Sequence, residues 1–514
     1  MKVIYHHFEV PHHALIIAKL YRKYQWNPVC IAGAHVDKDG TIDGVSLDNC
    51  IISNPYKLRR SEFNYDEITP PLPVDASILE ALSRYEATYI DILGVFQDNT
   101  GWEFSYTERK NFYIDILTYW NTVINACEPD LIVFYDWPHT PSCYSLYLIS
   151  KHYYNIDVLF IDPNPLLDQD YHIISNSVES LSNSLNIGSK DTRIIDPNNK
   201  NDSLLTVDDI ANNNSEPKHI VADFNKYENS GPLLNRIYKY SKEKIKFSNI
   251  PRLYTHFKGV NIDRKANTLP YYLSKSRMNL VQLLIFFEKL KFKNRKLKKY
   301  YHSKTVSPNL NTPFIYFSAP YQPEATSYLG GRHYESIMLT LSVLSYACPK
   351  DWVIYYKEHP ATFFDKFRGS LKRDNWLYNK INGFQNIKMV ASDYDQFALI
   401  ENSKAVALIS GSTAWQAVVR GKPVISFGQG WYSGCKGIMQ VSSLQDVKDV
   451  LKLIISGYTP DSKDVDQYVS IIKQVAFKFP ERYSQKVYDK PRAEEVADEF
   501  YKAYIKFNYI VDKK

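Results

Sequence analysis

At 514 residues the chain is too long for one hydrophobic core, and two domains of about 200 to 250 residues are expected. Its 44% hydrophobic and 23% charged residues are those of a folded, water-soluble protein and exclude a disordered chain. A net charge of +6 is too mild to argue for nucleic acid without a concentrated basic patch.

The start, Met1–His7, has no apolar stretch of the signal-peptide kind. No window of about 18 apolar residues is present, so no membrane span is expected. Cys30, Cys50, Cys127, Cys143, Cys348 and Cys435 are scattered without zinc-type spacing, as expected of reduced thiols in a cytoplasmic protein. Val3–Tyr5 reads as a first strand, followed by His6 and His7, and Pro11 opens a helix to about Tyr24. One of His6, His7, His12 and His13 is expected to reach a cleft. Val29–Gly33 is a second strand, and residues 40–75 read as loops. Tyr106–Cys127 is an amphipathic helix. Asp130–Tyr135 is a strand with Asp136-Trp137-Pro138-His139 at its end, and a helix from Ser142 leads to the strand Asp157–Ile161. This alternation predicts a parallel sheet with helices on both faces.

Residues 176–216 are rich in Asn, Ser and Asp and read as a surface insertion. Residues 246–311 connect two units. Within them Met278–Phe292 is apolar, and Lys289, Lys291, Lys293, Arg295, Lys296, Lys298 and Lys299 make it basic. Such a helix suits the anionic inner face of a membrane, or else a linker packed on a domain. A second α/β unit runs over 312–485, and residues 486–514 hold a last helix, Ala493–Phe507.

Two turns in that second unit carry the chemistry. Lys357-Glu358-His359-Pro360 follows the apolar run Trp352–Tyr356, and Ser410-Gly411-Ser412-Thr413 follows Ala405–Ile409. Strands that end in small or polar residues and turn into helices aim free N–H groups and hydroxyls at an anion. An imidazolium at His359, a helix N-terminus and the hydroxyls of Ser410, Ser412 and Thr413 suit one phosphate without a metal. Lys357 adds a cation. Glu358 either pairs with it or reads a ribose or base edge. No Asp-x-Asp of the diphosphate–metal kind stands there; Asp393 and Asp395 read as a helix start. On the other side, Asp136 and His139 are the candidate general bases, with Asp136 a nucleophile if the reaction retains configuration. Glu324 is a third candidate, and Arg332 and His333 are placed to meet a sugar carboxylate.

After the second turn come a helix and then Gly421-Lys422-Pro423-Val424-Ile425-Ser426-Phe427-Gly428-Gln429-Gly430-Trp431-Tyr432. With the two turns, this run resembles the bacterial capsule polysaccharide biosynthesis family, which includes β-Kdo transferases and is related in pattern to GT-B sialyltransferases. The resemblance covers roughly residues 313–435. It implies an α/β GT-B fold: an acceptor domain over 1–245, a donor domain over 312–485 and a C-terminal helix returning to the first domain. It also implies transfer of an acidic sugar, Kdo or sialic-like, from a CMP-sugar to a surface polysaccharide or glycolipid, with Gly428 and Trp431 beside the pyrimidine. Other readings are a teichoic-type transferase of polyol phosphate from a cytidine donor, a UDP-sugar transferase, and an inactive glycan-binding scaffold. No cofactor or metal is expected.

Overall fold

The computed structural model describes residues 1–33, 41–54, 58, 63, 70–98, 105–167, 171–178, 280–364, 369–480 and 489–511. The expected insertion over 176–216 and the first part of the connecting region, 246–279, lie outside the described residues, apart from 176–178.

The first sheet holds β1 (Lys2–His6), β2 (Asn27–Ala32), β5 (Ile51–Ser53), β6 (Leu131–Tyr135), β7 (Asp157–Pro163) and β8 (Tyr171–Ser175). A two-stranded ribbon, β3 (Thr41–Ile42) with β4 (Val45–Ser46), stands apart. With β15 (Phe477–Lys478), which arrives from the far end of the chain, the order is β15-β8-β7-β6-β1-β2-β5. Five strands, β7, β6, β1, β2 and β5, pair in parallel, and β8 runs antiparallel to both β7 and β15. β1, β6 and β8 are buried almost throughout, as a sheet covered on both faces requires. One face is covered by α2 (Ala76–Asp98), α3 (Tyr106–Cys127) and α4 (Pro141–His152). Ser105 starts α3 with a reciprocal cap, its side chain on the Glu108 amide and Glu108 on its own. α2 and β3–β5 are additions to the sequence reading. Strands of two or three residues leave weak local signals; α2 is capped by Asp75, whose Oδ1 accepts from the Ser77 amide at 3.0 Å and the Ile78 amide at 3.2 Å.

The other face is covered by α1 (Pro11–Tyr24) and α13 (Lys490–Val511). α13 is the expected C-terminal helix that returns to the first unit. Lys19 pairs with Glu494 at 2.9 Å, the Tyr24 hydroxyl donates to Asp498 at 2.7 Å, and Tyr24 stacks on Tyr501.

The second sheet is all parallel, in the order β11-β10-β9-β12-β13-β14. Its strands are β9 (Phe314–Ser318), β10 (Val353–Lys357), β11 (Ile387–Val390), β12 (Ala405–Leu408), β13 (Val424–Ser426) and β14 (Ile438–Gln440). Around it lie α5 (Leu280–His302), α6 (Ala325–Gly331), α7 (Ile337–Ala347), α8 (Asn375–Asn382), α9 (Gln396–Asn402), α10 (Thr413–Val418), α11 (Leu444–Ile455) and α12 (Ser462–Val475). α7 starts later than its apolar pattern suggests, because Arg332–Glu335 forms a separate 3₁₀ turn and Ser336 is the N-cap of α7. The cores of the two units interpenetrate. Tyr328 and Leu329 of α6 sit in the first unit's core, and Leu166, Leu167, Tyr171 and Ile173 sit in the second's.

Candidate active site

A cavity of about 710 Å³ lies between the sheets, at the C-terminal ends of strands from both. In doubly wound folds that is where ligands bind, because backbone N–H groups and loop side chains converge there. One wall holds Lys357, Glu358, His359, Pro360 and Ser410–Thr413. The other holds Asp136, Trp137, His139, Asp162 and Asn164.

On the first wall, His359 is fixed by the start of a 3₁₀ turn, Pro360–Phe363. The Ala361 amide donates to its Nδ1 at 3.2 Å. In the neutral ring this leaves the proton on Nε2, ready to donate. Burial lowers the His359 pKa to about 4, with Lys357 and Arg373 adding to the effect. The ring is therefore a neutral donor rather than the imidazolium expected from sequence.

Glu358 is not available to a ribose. Its side chain is fully buried and accepts from Arg373 Nε at 2.9 Å, the Tyr356 hydroxyl at 2.8 Å, the Tyr378 hydroxyl at 3.0 Å and Thr362 Oγ1 at 3.2 Å. The expected pairing with Lys357 gives way to this network. Arg373 continues it to Gln322 Oε1 at 2.8 Å and the Pro320 carbonyl at 3.0 Å. Glu358 is thus the post that holds the His-Pro turn.

In the second turn Gly411 has φ 137°, open to glycine alone, and its amide donates to the Tyr432 hydroxyl at 3.1 Å. Thr413 Oγ1 lies 3.1 Å from Ser318 Oγ. α10 has only six residues, so hydroxyls and amides rather than a long helix dipole face the cavity. Trp431 lines it, but Gly428 does not. Gly428 packs against β12, where a Cβ would stand 2.5 Å from the Ile409 carbonyl.

On the opposite wall Asp136 has φ 75°, a conformation that costs a non-glycine residue about 1 to 2 kcal/mol. Its Oδ1 accepts from the Trp137 amide at 2.6 Å, and its Oδ2 lies 3.8 Å from His139 Nδ1. The Trp137 carbonyl lies 2.8 Å from His139 Nδ1 and only accepts, so Nδ1 carries the proton and Nε2 is free to take one. Glu324 lines the cavity at the start of α6.

Arg332 and His333 are exposed on the 3₁₀ turn after α6 and do not line the cavity. His6 and His7 are buried in the first unit and do not line it either. They lie with Cys143 in the group of metal-ligating type found among the described residues. Cys143 Sγ is 3.8 Å from both ring nitrogens of His7. A sulfur equidistant from the two lies off both lone-pair axes. Asp395 caps α9 through the Phe397 amide at 2.9 Å and does not itself line the cavity, although the next residue, Gln396, does.

The sequence reading missed Asp162, Asn164, Ser318 and Arg373. Asp162 stands at the end of β7, next to Asp136 at the end of β6; the Asp136 amide donates to the Ile161 carbonyl at 3.0 Å. The signal is the strand-end position itself, one residue past the predicted end of β7. Arg373 has none, because a lone arginine in a loop reads as surface.

Residues 293–452 match the model of the capsule polysaccharide biosynthesis protein family. No curated protein matches the chain in sequence. Among solved structures, the chain is similar to the β-Kdo 2,7 transferase KpsC of Thermosulfurimonas dismutans, at 14% identity and TM-score 0.23, over 45% of this chain and 65% of that one. The chain thus spans less than two thirds of that transferase's length. It is also similar to UDP-GlcNAc 2-epimerases of Methanocaldococcus jannaschii (12% identity, TM-score 0.24, 92% and 99% covered) and Neisseria meningitidis (12%, 0.22, 98% and 100%). The matched segment contains both anion-facing turns and the loop after β13.

Proposed function

We propose that the protein is a glycosyltransferase that moves an acidic sugar, Kdo or sialic-like, from a CMP-sugar to a surface polysaccharide or glycolipid. One observation carries this: a single cavity has a cationic and hydroxyl-bearing wall from one sheet facing a carboxyl-bearing wall from the other. The first wall suits the phosphate of the leaving group, and the second suits an acceptor hydroxyl.

In the proposed step the acceptor oxygen bonds to the anomeric carbon, and its proton passes to Asp136 or to His139 Nε2. The bond from that carbon to the phosphate oxygen breaks, and its electron pair leaves on CMP. His359 Nε2–H, Lys357 and the hydroxyls of Ser412 and Thr413 stabilise the departing charge. The pyrimidine lies against the loop that ends at Trp431. This donor set needs no metal. The acceptor is reached at a membrane surface, where α5 turns Lys289, Lys293, Lys296 and Lys299 outward with Ile285 and Phe292, both exposed.

Thermal-shift titration with CMP and with UDP tests the reading. Stabilisation by CMP and not by UDP is expected. Equal stabilisation by UDP, or none by CMP, would overturn it.

A further inference from the structure

Asp162 and Asn164 are deeply buried, at 6% and 4% exposure, yet both line the cavity. They stand two residues apart along an extended chain, so their side chains share a face. Each has one atom satisfied by the fold. Asp162 Oδ2 accepts from the Ser175 hydroxyl. Asn164 Oδ1 accepts from the Leu166 amide at 3.0 Å, closing the turn after β7. Each also has one buried atom with no protein partner: Asp162 Oδ1 and Asn164 Nδ2.

Buried polar atoms are paired in the great majority of cases, and an orphan costs stability unless a ligand completes it. Two neighbouring orphans on the wall of one cavity are therefore a built half-site. We infer that Asp162 Oδ1 and Asn164 Nδ2 hold a hydroxyl of the acceptor sugar, next to the hydroxyl that Asp136 faces. This rests on the glycosyltransferase reading and adds to it a subsite for the acceptor.

The chemistry selects a hydroxyl over a carboxylate. Asp136 stands at the neighbouring strand end, and its negative charge acts on Asp162, so an anionic group at the subsite would be repelled. A hydroxyl can accept from Nδ2 and either donate to or accept from Oδ1. Burial first, and the Asp136 charge second, push the Asp162 pKa up to about 8, while the Ser175 hydroxyl and Trp137 oppose them. Asp162 thus enters as a neutral acid, which asparagine mimics.

The test uses the full chain, in the presence of CMP, and a panel of methyl glycosides of glucose, galactose, N-acetylglucosamine and Kdo. Binding is read by saturation-transfer NMR. At least one glycoside is expected to bind. Asn164→Asp keeps the turn-closing oxygen but removes the donor, and affinity should fall about tenfold or more, as for one lost buried hydrogen bond. Asp162→Leu should lose binding equally, and Asp162→Asn should keep it. The thermal shift with CMP should be unchanged in all three variants, because they lie on the opposite wall. Unaltered glycoside affinity in Asn164→Asp and Asp162→Leu would overturn the subsite, as would a panel in which nothing binds. Failure of CMP to stabilise the unsubstituted protein would instead remove the donor reading, with the glycoside titration still reporting on the subsite.

Discussion

Asp162→Asn should stabilise the protein, and by more as the pH rises. The folded chain holds the Asp162 carboxyl at a pKa of about 8, against an ordinary value of 3.8. The unfolded chain therefore releases this proton at a lower pH than the folded chain does. Below about pH 4 both states are protonated and the aspartate costs nothing. Between about pH 4 and pH 8 the unfolded state is favoured more with each unit. About three of those units lie below pH 7, and each is worth about 1.4 kcal/mol, so the ceiling there is about 4 kcal/mol. Relaxation of the site and water entry through the cavity lower this, and about 2 kcal/mol is a reasonable floor. Asparagine removes the titration while keeping an oxygen for Ser175. For a unit of this size the gain corresponds to roughly 5 to 10 °C in melting temperature. Glu335, raised to about 7 by burial and by Asp91, titrates in the same window. The readout is therefore the difference between variant and parent, followed by thermal unfolding at about pH 4, 6 and 8. A difference that stays constant across that range, or a parent more stable than the variant at about pH 8, would refute the reasoning.

The two walls and the helix beside them set four further outcomes. His359→Ala removes one hydrogen bond to a charged phosphate, about 1.5 to 3 kcal/mol; CMP affinity measured by calorimetry should fall about ten- to a hundredfold while the melting temperature holds. Asp136→Ala and His139→Ala should leave CMP binding intact, and at least one should lower turnover about 10²- to 10⁴-fold; near-normal turnover in both would move the base to Glu324. EDTA should leave turnover mostly unchanged, since the proposed donor set is cationic and hydroxyl-bearing, and strict dependence on a divalent ion would overturn that. Flotation with phosphatidylglycerol vesicles should fall with salt and drop in the Lys289→Gln/Lys293→Gln/Lys296→Gln variant, each cation contributing about 1 kcal/mol; equal flotation would reassign the basic face of α5.

Much of this fold can be read from the sequence, because buried parallel strands are continuous apolar runs. Ala405–Ile409 and Trp352–Tyr356 announce β12 and β10 within a residue or two. The residues just past such a run are visible as well, and so Lys357, His359 and the Ser410–Thr413 turn are accessible. Burial of a polar side chain is not. Nothing in Lys357-Glu358-His359 shows that the glutamate turns inward to Arg373 fifteen positions later, while Lys357 and His359 line the cavity. The histidines at the end of β1 mislead in the opposite sense. Strand ends in α/β sheets usually face ligands, but here the first turn of α4 meets His6 and His7 through Ser142 and Cys143. The Ser142 hydroxyl, 3.1 Å away, meets His6 Nε2.

The buried Glu358 network explains how a loop can serve as a phosphate site at all. A loop that must order itself on binding loses affinity to that ordering. Here the ordering is done by the fold. Tyr301 from α5, Tyr356 from β10, Tyr378 from α8 and Arg373 from a loop all converge on Glu358, and Tyr301 Oη accepts its amide at 3.0 Å. The post therefore ties the connecting helix to the turn, and Asn294 of the same helix donates to the Phe364 carbonyl at 2.8 Å. Glu358→Ala would leave the Arg373 guanidinium buried without its carboxylate, a change that typically costs about 3 to 5 kcal/mol. The expected result is a drop in melting temperature together with loss of CMP binding. His359→Ala, by contrast, should lose binding alone. The two variants separate what holds the turn from what touches the phosphate. If Glu358→Ala bound CMP as tightly as the parent, the turn would not depend on its post.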